Sequence, residues 1–141
     1  MLDNVNALAI LLAAISSMVV GSIWYSQNVF GSKWAKLAKV KMDKKPVPGE
    51  MARLLGSTFI ASLFTAFVVA HVSYFSHVAL NNTFLTDSLS AAFWLWFGLT
   101  ASRLYVHDAF EGRAKELTAL NIAHEFVTIM LMALIIGAMG I

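Results

Sequence analysis

The sequence predicts an all-α integral membrane four-helix bundle, with both termini outside (N-out/C-out) and a short amphipathic interfacial helix between spans 1 and 2. Three observations carry that expectation. Apolar residues make up 59% of the 141 residues and charged residues only 13%, against roughly 45–50% and about 25% in soluble domains. Four apolar runs, at about 5–25, 54–80, 89–106 and 117–140, approach or exceed the roughly 20 residues a helix needs to cross the hydrocarbon. Six of the ten Lys/Arg residues crowd into WYSQNVFGSKWAKLAKVKMDKK at 24–45. Positive charge beside a spanning run resists translocation, which holds that connection in the cytoplasm.

The formal net charge of +2 therefore reads as topology and affinity for anionic headgroups, not as nucleic-acid binding. Zero cysteines remove disulfides, thiolate metal sites and thiol catalysis together. The opening MLDNVN carries Asp3 and no basic residue, unlike the basic start of a secretory signal, so the first run is expected to stay as a span. All of 1–141 reads as one transmembrane domain.

In the first span Ala9, Ala13, Ser17 and Gly21 recur every four residues, a small-residue stripe that lets another helix approach closely. Trp24 and Tyr25 follow where an aromatic belt is expected. Phe30, Trp34 and Leu37 then share one side of a short helix, with Lys33, Lys36 and Lys39 largely on the other. Such a helix suits the headgroup boundary, with Lys33, Trp34, Lys36 and Lys39 touching lipid heads, and it ends near Val40 because Lys41 returns to the apolar side. A plain basic stop-transfer loop explains the lysines equally well. Pro46, Pro48 and Gly49 break the chain before the second span.

The second span holds His71 and His77, about 120° apart on a straight helix, so the two cannot face one ligand. NNTFLTD at 81–87 reads as a short outer loop. The third span carries FWLWFG and, near its end, Arg103; HDAFEGRAKE at 107–116 is a second charged connection. Cytoplasmic connections at 26–53 and 107–116 satisfy the positive-inside rule twice, which points to a multi-pass membrane protein.

Trp24-Tyr25-Ser26 with Phe30-Gly31 and Trp34, WFG in the third span, and Phe110-Glu111-Gly112-Arg113 followed by LNIAHEF resemble the family catalogued as domain of unknown function 1761, small bacterial membrane proteins. The likeness covers nearly the whole chain. It departs from the family pattern at Gln27, where a proline is common, and at His124-Glu125, where an aromatic-His pair is common. The resemblance implies a four-span bundle and supplies no activity.

Polar groups inside a span are costly, so each one is a candidate for function. Arg103 and Glu125 fall at comparable depths on antiparallel neighbours, and an ion pair between them is expected, completed by Asn121, His124, Tyr25, Gln27 and Asn28. Three roles stay open for this cluster: fixing helix register, a proton or ion pathway, or a small-ligand site. Haem or metal ligation by histidines is poorly supported, because His71 and His124 differ in depth by about 15 Å. His124-Glu125 begins a zinc-protease HExxH motif, but position 128 is Thr. FGSKWAKL at 30–37 and FEGRAKEL at 110–117 share a spacing that resembles a weak parallel repeat.

No catalytic centre, metal or cofactor is expected. The leading functional reading is a structural or accessory protein that contacts lipids and other membrane proteins, or its own copies. A homo-oligomeric channel or proton-coupled transporter using the Arg103/His124/Glu125 cluster is the alternative, and a histidine-based redox or ligand-binding protein is the third.

Overall fold

The computed structural model describes residues 5–40 and 47–140, and the regular structure among them is helical. Asp3, Lys41, Lys44, Lys45, Pro46 and Ile141 lie outside the described residues. The elements are α1 (Ala7–Trp24), α2 (Gly31–Ala38), α3 (Pro48–Leu80), α4 (Phe84–Leu95), a π-helical segment (Trp96–Ala101), α5 (Ser102–Phe110) and α6 (Lys115–Met139). Of these, α1, α3 and α6 are each long and apolar enough to cross a membrane. α4, the π segment and α5 follow without a break over 84–110.

The helix ends explain where these bounds differ from the sequence expectation. α3 starts at Pro48 rather than at 54: a proline lacks the N–H that a first helical turn leaves unpaired anyway, so Pro48 opens this helix instead of ending the loop. The outer loop shrinks from 81–87 to the turn 81–83. Asn81 takes the left-handed conformation at φ 56°, which Asn tolerates better than most residues. Thr83 then accepts a hydrogen bond from the Thr86 backbone N–H and starts α4. The connection expected at 107–116 contracts likewise, because His107 to Phe110 remain helical. The two pieces of the apparent repeat fold differently: 31–38 is a helix, while 110–117 holds a helix end, a turn and the start of α6.

Small residues make the centre. Ala9, Ala13 and Ala14 of α1, Ala66 and Ala70 of α3, Ala92 of α4 and Ala133 of α6 are buried together, filled in by Val69, Met132 and Ile136. α1 packs mainly on α6 and α3, and α4 mainly on α3 and α6. α6 and α4 cross closely at Gly137, where an added Cβ would lie 2.8 Å from the Leu85 Cα. The large apolar side chains point away from this centre: Phe64 is 68% exposed and Leu99 66%. Close backbone approach inside and bulky apolar groups outside is how helices associate in lipid, which offers no hydrophobic drive toward the interior.

α2 is seated on the end of the bundle by a second close approach. A Cβ on Gly31 would lie 2.2 Å from the Tyr25 carbonyl oxygen, so only glycine fits against the 24–26 turn. Gly31 N–H donates to the Ser26 carbonyl at 2.8 Å. The buried face of α2 is therefore Gly31 and Ala35, with Phe30 and Lys33, Lys36 and Lys39 exposed and Trp34 and Leu37 half-buried. Phe30, Trp34 and Leu37 are left wholly or partly uncovered, because Gly31 and Ala35 make the buried contact.

Candidate functional site

The C-terminal end of α1 meets the first half of α6. Tyr25 O–H donates to Asn121 Oδ1 at 3.4 Å, and its ring lies 4.9 Å from the His124 imidazole, with Trp24 at 5.8 Å on another side. Gly21 faces His124: an added Cβ would stand 3.8 Å from Nε2, in ordinary van der Waals contact. His124 Nδ1 lies 3.3 Å from Glu125 Oε1, and Nε2 is buried with no hydrogen-bond partner among the described residues. Trp34 of α2 covers Tyr25 edge-on at 5.4 Å. Tyr25, Asn121, His124 and Glu125 thus form one cluster. Gln27 and Asn28 are exposed, and their side chains make no hydrogen bond to the described residues.

Arg103 does not join by an ion pair. The Arg103–Glu125 pair expected from depth is absent, and the recorded ion-pair partner of Glu125 is its neighbour His124. Both residues nevertheless line one groove of about 460 Å³, together with Leu99, Thr100, Leu104 and His107. The π segment, whose turn is wider than an α turn, immediately precedes the helix that carries Arg103. The segment is tied to α6 by Trp96, whose indole N–H donates to the Ile122 carbonyl at 3.1 Å and whose ring stands 4.7 Å from Phe126.

The four histidines each have a separate setting. His71 Nδ1 is 2.8 Å from the Phe67 carbonyl, His77 faces Asp87 at 3.3 Å, and His107 faces Glu111 at 3.2 Å. His107, Asp108 and Glu111 bring ligand-type atoms within 4.8 Å of one another. Arg113 already places its guanidinium against Glu111 at 2.5 Å and Asp108 at 3.6 Å. A cation is therefore supplied there by the chain itself.

Sequence reasoning missed two buried acids. Asp87, 1% exposed, accepts from Asn82 Nδ2 at 3.1 Å and Ser76 Oγ at 3.5 Å, and faces His77. It sits in the first turn of α4, where the helix dipole favours a carboxylate. Asp108 accepts from Thr118 Oγ1 at 2.8 Å across the α5–α6 turn. Both stand in sequence contexts that read as loops; for Asp87 the signal against a loop is Thr83, a cap residue four positions before it. The stripes Ala66/Ala70, Ser88/Ala92 and Ala133/Gly137, spaced by four like the one in α1, carry the same packing signal.

No match was found among curated proteins or among solved structures. A family match spans residues 8–137, nearly the whole chain and including α1 through most of α6. The chain therefore belongs to the DUF1761 family, whose description is a protein of unknown function.

Proposed function

We propose that this chain is a four-span accessory protein of the bacterial inner membrane, without a catalytic step, that works by contact with lipids and neighbouring membrane proteins. The fourth span is the unbroken helical run at 84–110, whose buried acids are satisfied by neighbouring side chains. Both termini face outward, and α2 and the α5–α6 turn lie on the cytoplasmic side. The observation that carries the accessory reading is the distribution of polar groups. Alanines from α1, α3, α4 and α6 fill the bundle axis, whereas Arg103, Glu125 and the α2 lysines sit on its periphery at one end. The α1 stripe is used inside the chain, with Ala9, Ala13 and Ser17 buried, so contact with partners falls to the outer surface. The polar side chains buried mid-bundle among the described residues include the hydroxyls of Ser17, Ser73, Ser88 and Thr128, and the transport alternative is placed at an interface between copies.

The absence of cysteine makes the topology directly testable. Single substitutions Lys36→Cys, Asn82→Cys and Gly112→Cys should give labelling of Asn82→Cys alone by an impermeant maleimide, with the other two labelled after permeabilisation. Labelling of Asn82→Cys and Gly112→Cys from the same side would remove the fourth span. Solute or proton flux in proteoliposomes that Glu125→Gln abolishes would replace the accessory reading with transport.

A further inference from the structure

We infer that the groove between α3, the π segment and α6 is a binding site for one phospholipid with a primary ammonium headgroup, phosphatidylethanolamine, in the leaflet on the α2 side. The inference rests on the membrane reading above. Two cavities join there. The polar one holds Arg103 and Glu125; the other, about 280 Å³, is apolar and is lined by Phe64 and Val68 of α3, Leu95 of α4 and Ile129 of α6. Leu99 and Thr100 line both, so the wide π turn is the junction.

The order of groups along this groove matches an amphiphile. Arg103 lies seven residues from the end of α5 and Glu125 ten residues from the start of α6, which places them roughly 10 and 15 Å inside that end of the bundle. The apolar cavity continues toward the middle of the helices, where an acyl chain would lie. At the mouth, a guanidinium and a carboxylate share one groove without pairing. Arginine recognises phosphate oxygens in a fork, and a carboxylate beside it accepts from an ammonium N–H. A zwitterion carrying phosphate next to a primary ammonium satisfies both. A purely anionic headgroup leaves Glu125 facing negative charge, and a trimethylated headgroup offers that carboxylate no N–H donor. His124 Nδ1 lies 3.3 Å from Glu125 Oε1, and Oε2 has no hydrogen-bond partner among the described residues.

The test is native mass spectrometry of the full chain released from vesicles of equal phosphatidylethanolamine, phosphatidylcholine and phosphatidylglycerol. Phosphatidylethanolamine should be retained about tenfold over each of the others, the size expected from one charge-assisted hydrogen bond. Glu125→Gln should erase that preference while leaving total lipid retained; Arg103→Gln should lower retention of all three. Val68→Trp, at an outward position that fills the apolar cavity without touching the core, should also lower retention of all three. Equal retention of the three lipids, a preference for phosphatidylglycerol, or an unchanged preference in a folded Glu125→Gln protein would each overturn the inference. Cysteine labelling of the same preparations separates the two readings: correct four-span labelling without lipid preference sinks the groove alone, and same-side labelling of Asn82→Cys and Gly112→Cys sinks both.

Discussion

At the end of the bundle formed by the α3–α4 turn, Asp87 is buried and engaged by Asn82, His77 and Ser76. At the opposite end Arg103 has no ion-pair partner among the described residues, and His124 Nε2 is buried without one. The first arrangement closes on itself: the α4 carboxylate is shared by two side chains of α3 and one of the turn, so it holds the hairpin together. The second stays open toward a groove. Closed polar groups in a membrane bundle contribute stability, whereas open ones contribute little to the fold and are available to something outside it.

Five substitutions break or sharpen this contrast. The largest effect is expected for Gly31→Val, which drives a side chain into the Tyr25 carbonyl; SDS-induced unfolding should show a loss of about 3 kcal/mol and release of α2 to proteolysis. Asp87→Ala leaves three polar partners unpaired at the closed end, and the same assay should show a loss of about 2 kcal/mol; wild-type stability there would mean the network is ornamental. Thr118→Val removes the hydroxyl donor to Asp108 across the α5–α6 turn, leaving Arg113 beside the carboxylate, and should cost about 1 kcal/mol, with faster hydrogen exchange confined to 107–118. The smallest change is expected for Arg103→Gln and Glu125→Gln, each within about 0.5 kcal/mol of wild type. A large destabilisation by either would show that the open end is structural after all, and the contrast between the two ends would fail.

Much of the architecture was readable because membrane helices announce themselves by length. The runs at 5–25 and 117–140 differ from α1 and α6 by only a few residues at their ends. The other two runs were read too short, at 54 and at 89 and 106, for one reason: Pro48, Asp87 and Asp108 count as breakers or loop formers when read alone. Each is accommodated by a partner or position that composition does not show, a first-turn slot for Pro48 and hydrogen-bonded neighbours for the two acids. In the candidate site, Tyr25, Asn121, His124 and Glu125 were found by depth alone. Arg103 reaches the same groove as Glu125 without pairing with it, since comparable depth does not fix the distance between two side chains.

The sequence by itself determined the helical class, the membrane-length runs, the lysine-rich end and the polar residues that merit attention. These follow from local quantities: apolar length, charge placement and residue size every fourth position. Tertiary structure alone decided which small residues meet, why Gly31 and Gly137 admit no side chain, how Asp87 and Asp108 become buried, and that Arg103 and Glu125 share a groove without pairing. Those outcomes depend on interaxial distance and on the phase of one helix against another. Both are set by the sum of all packing contacts in the bundle, and no local window of the chain contains that sum.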